Sequence, residues 1–149
     1  MIGEILLDTN ILIYAYDRSE PEKQARALAV LDRLATTGAG VLSTQVLSEF
    51  FVIATRKIAH PLTIPEAIQR LQNYNLAWKV VQMTSVVILE AARGVYKYKI
   101  NFWDAQIWAV ARLNQIPILF SEDFNPGSSL EGVRFVNPFD PEFRLDDRV

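Results

Sequence analysis

The chain has 149 residues, of which 50% are hydrophobic and 21% are charged, a balance typical of a globular domain rather than a disordered or fibrous segment. It contains no cysteine and one histidine, His60, which excludes disulfides, thiolate metal sites and multi-histidine sites within one chain. Fifteen basic and 17 acidic residues give a net charge of −2, without the basic excess common in nucleic-acid-binding proteins. Any metal site must therefore use oxygen ligands.

Short apolar runs alternate with longer amphipathic segments along the chain. The short runs, rich in branched residues, predict strands at residues 2–7, 41–42, 78–83, 117–120 and 133–136. The amphipathic segments repeat with helical spacing and predict helices at residues 11–16, 21–35, 44–59, 64–75, 85–97 and 102–115. Asn10 is the predicted cap of the first helix, and 121–132 is a predicted loop. This alternation predicts an α/β fold with a mainly parallel sheet covered by helices.

We expect one domain over residues 1–149, in which residues 137–149 form a loosely held tail. No apolar run approaches the roughly 18 residues that a membrane span needs. The first four residues lack the basic stretch of a secretion signal. We therefore expect a cytoplasmic protein without a membrane partner.

Four carboxylates occupy unusual positions in this pattern. Asp8 directly follows the first predicted strand, and Asp123 follows the strand at 117–120 by three residues, so a parallel sheet brings both to one edge. Glu49 lies at the margin of an apolar helix face, and Asp104 is flanked by aromatic residues. Taken singly, the aspartates are explained equally well as turn formers or helix caps, and Glu49 as an ordinary boundary residue.

Taken together, the four acids predict a metal site. Carboxylates that lie within a few ångströms of one another repel and raise each other's pKa unless a cation is bound. Oxygen ligands without nitrogen or sulfur favour Mg²⁺ or Mn²⁺, whose remaining positions are completed by water and substrate phosphate. Such ions support hydrolysis of phosphate esters without a catalytic histidine or cysteine.

The sequence around these acids resembles, in chain order, the acidic motifs of the PIN-domain ribonucleases. The matching segments are LLDTNILIYA at 6–15, SEF at 48–50, FWDAQI at 102–107 and LFSEDF at 119–124. Among these proteins, the single-domain type of this length is similar to the VapC toxins of bacterial and archaeal toxin–antitoxin pairs.

The resemblance implies a three-layer α/β/α sandwich and endonucleolytic cleavage of RNA that leaves 5′-phosphate and 3′-hydroxyl ends. It implies a Mg²⁺ or Mn²⁺ site formed by Asp8, Glu49, Asp104 and Asp123, with Asp8 and Asp104 as the best candidates for direct ligands. Ser121 matches the serine or threonine that the family carries near its last acid. A small antitoxin protein is the implied partner.

Further residues are candidates for supporting roles. Thr9 and Asn10 are candidates to support the metal ligands, although capping of the following helix is the commoner role of such residues. Basic side chains before or within the Asp104 helix predict phosphate contacts, at Arg93, Lys97, Lys99 and Arg112. Arg56 and Lys57 are further candidates. Tyr96, Tyr98 and Trp103 are candidates to stack on bases. Basic residues late in a helix also simply complement its dipole.

The helix that carries Glu49 has more hydrophobic surface than one buried face requires. Phe51, Ile53 and Leu62 follow or flank that helix and predict a homodimer.

Three other functions compete with a toxin nuclease. The second candidate is a PIN-fold nuclease of RNA processing that has no antitoxin. The chain is also compatible with a non-catalytic interaction module, although the four acids argue against this. Aspartyl-phosphate phosphatases also place an aspartate after the first strand, but they need a second aspartate two residues later, where this chain has Asn10.

Overall fold

The computed structural model describes residues 3–145, whose strands form a single six-stranded sheet. The strands are β1 (Ile5–Leu7), β2 (Gly40–Ser43), β3 (Lys79–Val81), β4 (Ile118–Phe120), β5 (Ser129–Leu130) and β6 (Val133–Val136). Their order is β3-β2-β1-β4-β6-β5, and all neighbours pair in parallel except β5 with β6. The predicted α/β class with a mainly parallel sheet is confirmed.

Six helices flank this sheet within the described residues. They are α1 (Thr9–Tyr14), α2 (Pro21–Thr37), α3 (Thr44–Arg56), α4 (Ile64–Ala77), α5 (Ser85–Tyr98) and α6 (Phe102–Leu113). Five of them follow a polar cap residue whose side chain accepts a backbone N–H of the first turn: Asp8, Ser43, Thr63, Thr84 and Asn101. These caps satisfy donors that have no partner inside the helix, and they explain why the helices start where they do.

The core lies around the two central strands. Every residue of β1 is fully buried, as are Leu119 and Phe120 of β4, because helices cover the parallel strands and leave no face for water. Phe50 of α3 and Trp108 of α6 are the largest fully buried side chains that pack against the strands. The polar residues that follow β1 and β4 are therefore held at the edge of a rigid apolar platform.

Gly94 explains how α5 and α6 approach closely. A Cβ atom at this position would lie 2.6 Å from Cζ3 of Trp108, so only glycine leaves room for the indole ring. Trp108 is fully buried and donates its Nε1–H to the Leu130 carbonyl at 3.2 Å. The helix continues through Gly94 because this packing outweighs the low helix propensity of glycine.

Three predicted local features differ from the structure. Asp8, not Asn10, is the cap of α1, because its carboxylate accepts the Thr9 N–H at 2.7 Å, and Asn10 lies inside the helix. Helix α3 ends at Arg56 rather than at residue 59, since the chain turns there and the Leu62 N–H bonds to the Ala54 carbonyl. The predicted loop 121–132 contains β5, which pairs with β6.

The segment after Asn137 is packed rather than loosely held as far as the structure describes it. Phe139 meets the ring of Tyr14 edge-on with centroids 4.9 Å apart, and Phe143 meets Phe120 in the same way at 5.6 Å. Arg26 donates to the Pro138 carbonyl at 2.7 Å. The rest of the predicted tail, residues 146–149, lies outside the described residues.

Over residues 3–145, no helix combines the length and the apolar character that crossing a membrane requires.

Candidate active site

Asp8 is buried at the carboxyl end of β1 and is held by two short hydrogen bonds. Its Oδ1 accepts the Thr9 N–H and its Oδ2 accepts the Ser121 hydroxyl, each at 2.7 Å, and only 4% of the residue is exposed. The Ser121 Oγ also accepts the Asp123 N–H at 3.0 Å. One serine hydroxyl therefore connects the two acids that follow neighbouring strands.

Three of the predicted acids come together. Asp8, Asp104 and Asp123 each offer a carboxylate oxygen, and these oxygens lie within 4.8 Å of one another. Asn101 caps α6 through the Asp104 N–H and also donates to Asp104 Oδ2 at 3.1 Å. Asn10 donates to Asp123 Oδ2 at 3.2 Å. The two asparagines hold the carboxylates at the entrance while Asp8 lies beneath them.

Glu49 lines the same cavity but does not belong to the group of three. Gln45, one turn earlier on α3, donates from Nε2 to Glu49 Oε1 at 2.8 Å and to the Trp103 carbonyl at 3.3 Å. This amide joins α3 to the first turn of α6 and so links Glu49 to the segment that carries Asp104. Gln45 was not predicted from the sequence, although its i, i+4 spacing from Glu49 places the two side chains on one helix face.

The carboxylates of the site disfavour one another's ionised forms. Burial raises the pKa of Asp8 to about 7, the Ser121 and Thr9 hydrogen bonds oppose that shift, and the charges of Asp123 and Asp104 add to it. Partial burial raises the pKa of Asp104, and the neighbouring charges of Asp123 and Glu49 raise it further. Asp8 and Asp104 therefore lack a neighbouring positive charge that would stabilise their ionised forms.

The acids line a cavity of about 350 Å³, within the usual size range of ligand sites. Four isoleucines also line it: Ile13, Ile53, Ile58 and Ile107. Lys57 is the basic residue among its described lining residues. The lining therefore combines acidic, basic and apolar side chains.

The donor set fits a hard divalent cation. All the charged ligands are carboxylates, and three buried oxygens that line the cavity have no hydrogen-bond partner among the described residues: Thr9 Oγ1, Asn10 Oδ1 and Gln45 Oε1. Buried polar atoms without a partner are rare in folded proteins and need an explanation. A bound ion with its waters supplies the missing positive charge and donors.

A second cluster holds the turn that carries Asp123. Tyr14 Oη donates to Glu122 Oε1 at 2.5 Å, and Lys23 Nζ donates to Glu122 Oε2 at 3.1 Å. Because Glu122 directly precedes Asp123, these contacts from α1 and α2 restrain the turn from the side opposite Ser121. Nothing in the spacing of these three residues indicated the cluster.

Of the basic residues predicted to contact phosphate, Lys57 lines the acid cavity, whereas Arg93, Lys97, Lys99 and Arg112 do not. Arg93 and Arg112 each form ion pairs with both Glu90 and Glu131. Hydrogen bonds from Tyr98 and Arg93 lower the pKa of Glu131 to about 2. Both guanidinium groups and the Tyr98 hydroxyl are therefore committed to a network that ties α5 and α6 to the turn between β5 and β6.

The other two lysines of that prediction lie on the exposed end of α5. Lys97 sits over the ring of Tyr98 at 5.4 Å, and Lys99 sits over the ring of Tyr96 at 5.3 Å. Lys99 is also the left-handed cap residue that ends α5, with φ of 58°. A contact between these lysines and RNA stays a prediction.

The hydrophobic residues predicted to form a dimer interface separate in the structure. Ile53 lines the acid cavity, whereas Phe51 lines a groove between α3 and α4. Leu47, Val52 and Leu71 complete the apolar part of that groove.

With this geometry established, comparison with known proteins identifies the family. Residues 5–126 match the family model of the PIN domain, so the chain belongs to the PIN-domain family. The resemblance inferred from the four acidic motifs is confirmed. A search of curated protein sequences gives no significant match.

Solved structures of toxins of this family have the same fold. One is VapC20 of Mycobacterium tuberculosis, described as a Sarcin-Ricin loop cleaving toxin, with 20% identity over 80% of this chain and 92% of that chain and a TM-score of 0.61. A toxin–antitoxin complex from Klebsiella pneumoniae has 21% identity over 91% and 98%, with a TM-score of 0.64. FitAB bound to a DNA fragment has 22% identity over 93% and 98%, with a TM-score of 0.65. The predicted similarity to VapC holds at the level of the fold.

The stability of the variant Asp8→Asn tests whether burial raises the pKa of Asp8. The Asp8 pKa is about 7 in the folded protein and 3.8 in the reference state. The unfolded chain therefore ionises first, and this carboxyl progressively destabilises the metal-free fold as the pH rises from about 4 to 7. The full effect is on the order of 4 kcal/mol.

We expect Asp8→Asn to gain stability relative to the natural sequence over that pH range, as measured by urea unfolding in chelator. Addition of Mg²⁺ at neutral pH should stabilise the natural sequence more than the variant. If the difference in unfolding free energy between Asp8→Asn and the natural sequence does not change with pH, the raised Asp8 pKa is contradicted.

Proposed function

We propose that this protein is an endoribonuclease that hydrolyses RNA phosphodiester bonds with Mg²⁺ or Mn²⁺. The observation that carries the proposal is the convergence of Asp8, Asp104 and Asp123, with Glu49 in the same cavity, in a chain of the PIN-domain family. RNA as the substrate rests on the family resemblance and on the likeness to a toxin described as cleaving the Sarcin-Ricin loop.

Each acid has a role that follows from its position. Asp8, Asp104 and Asp123 would hold the cation, and Glu49 would bind it through water or serve a second ion. When bound, the cation supplies an activated water and stabilises charge on the phosphate oxygens. Ser121 and Thr9 hold the Asp8 carboxylate, whereas Asn10 holds that of Asp123.

A histidine-driven attack by the ribose 2′-hydroxyl does not suit this site. Such a route needs a general base within hydrogen-bond reach of the reacting group. The one histidine, His60, is exposed in the turn after α3 and does not line the cavity. Metal-dependent hydrolysis is therefore the chemistry that the residues support.

Cleavage assays with single carboxylate variants test the proposal. Asp8→Asn and Asp104→Asn keep the shape of each side chain and remove its charge, so we expect each to lower the cleavage rate of defined RNAs by more than about 100-fold. Asp32→Asn on α2, at an exposed acid outside the cavity, is the matched control and should keep full activity.

The assay is run with Mg²⁺, with Mn²⁺ and with chelator. Full activity of either site variant, or cleavage that persists in chelator, would contradict the proposal. Failure of the natural sequence to cleave any RNA under all three conditions would favour a non-catalytic interaction module.

We further propose that the protein is the cytoplasmic toxin of a toxin–antitoxin pair and forms a homodimer. Support for the antitoxin comes from the similar fold in a toxin–antitoxin complex from Klebsiella pneumoniae. The match covers 98% of the chain of that complex. Support for the dimer comes from the apolar groove at Phe51, beside which Val52 is 43% exposed. A gene for a small protein next to this one would separate a toxin from a nuclease of RNA processing.

Light scattering tests the dimer independently of nuclease activity. We expect a mass of about twice 16.9 kDa at micromolar concentration. Val52→Glu places a charge in the groove and should give the monomer, whereas Leu28→Glu at a comparably exposed leucine of α2 should not. A monomer at every concentration for the natural sequence would remove the dimer and leave the nuclease proposal standing.

A further inference from the structure

We propose that Trp103 is a nucleobase-stacking residue that positions the nucleotide next to the scissile phosphate. The inference rests on the proposed ribonuclease function and names the part of a single-stranded RNA that the site grips. Trp103 is not one of the four acids, and it lines the same cavity as they do.

The position of Trp103 is unusual for a tryptophan. It precedes Asp104 in the first turn of α6, lines the acid cavity and is 64% exposed. Trp108, five residues further along the same helix, is fully buried, and Trp78 is half-buried. The Trp103 ring adds little to the core, and it lies against a cavity lined by carboxylates, where a bound ligand would meet it.

The surroundings of Trp103 hold its backbone in place before any ligand binds. Asn101 caps the turn, and Gln45 of α3 donates to the Trp103 carbonyl at 3.3 Å. The ring of Phe102 meets the indole at 63° with centroids 5.7 Å apart. A restrained aromatic surface loses little conformational freedom on binding, which favours its use as a platform.

The cavity that Trp103 shares with the acids determines what this platform meets. Because Trp103 lines the same cavity as Asp8, Asp104 and Asp123, a nucleotide whose phosphate is held by the carboxylates has the indole within the same binding site. Bases of single-stranded RNA bind proteins mainly by stacking on aromatic rings, a contact that tolerates any base. Lys57 in the same cavity provides a positive charge for a flanking phosphate.

The other candidate aromatic residues are less well placed. Tyr98 lines a neighbouring cavity that Asp104 and Asp123 also border, but its hydroxyl donates to Glu131 and its ring packs edge-on against Trp108 at 5.9 Å. Tyr96 is 81% exposed, but it lies on α5 and does not line the acid cavity. Among the three aromatic residues that the sequence indicated, the geometry selects Trp103.

A binding experiment tests stacking without requiring cleavage. The probe is a single-stranded oligouridylate of about eight nucleotides, added in Ca²⁺ buffer while tryptophan fluorescence is recorded. Since the other two tryptophans are buried or half-buried, we expect stacking to quench mainly Trp103, and Trp103→Phe to abolish most of the quenching. Quenching that is identical in Trp103→Phe overturns the proposal.

A kinetic experiment separates positioning from folding. We expect Trp103→Ala to lower kcat/KM on single-stranded RNA by on the order of 10-fold to 100-fold, with Trp103→Phe close to the natural sequence. Leu76→Ala, which removes an exposed apolar side chain of α4 outside the cavity, is the control and should change nothing. The affinity for Mn²⁺ should be the same in all four proteins.

An RNA with an abasic nucleotide beside the cleavage site completes the test. The natural sequence should lose the same factor on this RNA that Trp103→Ala loses on intact RNA, and the variant should lose little more. Equal abasic penalties in both proteins overturn the stacking role while leaving the nuclease function intact.

If the natural sequence cleaves no RNA, the proposed function fails. Absence of quenching with RNA, together with loss of binding to a co-expressed protein partner in Trp103→Ala, assigns this surface to protein recognition instead.

Discussion

The parallel pairing of β1 with β4 is the constraint on which the site depends. Leu7 lies opposite Phe120 in the register, and the Asp8 N–H continues the ladder by bonding to the Phe120 carbonyl at 2.9 Å. Both strands are buried, so this register cannot slip without moving apolar residues into water. The residues that leave the two strand ends, Asp8 and Ser121, are therefore forced into contact, and Asp123 follows.

This arrangement works against the stability of the metal-free protein. A carboxylate buried as deeply as Asp8, with two more within 4.8 Å, is costly unless protons or a cation neutralise the group. Hydrogen bonds from Ser121 and Thr9 reduce the cost, and the apolar core beneath β1 and β4 offsets the remainder. Carboxylates clustered in this way at the buried end of a cavity are typical of a site that binds a ligand.

The sequence allowed much of the fold and most of the site to be predicted, because both leave local signals. Capping residues such as Thr84 and short buried runs mark where elements begin and end, and the acids stand out since they follow those runs. The partners of Arg93 and Arg112 were not predictable, because Glu131 reaches them only after the chain turns between β5 and β6. The packed segment around Phe143 was missed for the same reason: periodicity reports which side chains are buried, not what they touch. Gln45 differs, because its i, i+4 spacing from Glu49 was a local signal.

Calorimetric titration of Mn²⁺ into the chelator-treated protein at pH 7, repeated in two buffers of different ionisation enthalpy, tests the central claim most directly. Since burial raises the Asp8 pKa to about 7, the account predicts that binding releases protons, and that Asp104→Asn weakens binding at least tenfold while Asp32→Asn does not. Equal Mn²⁺ affinity in all three proteins would show that the converging carboxylates do not hold the ion.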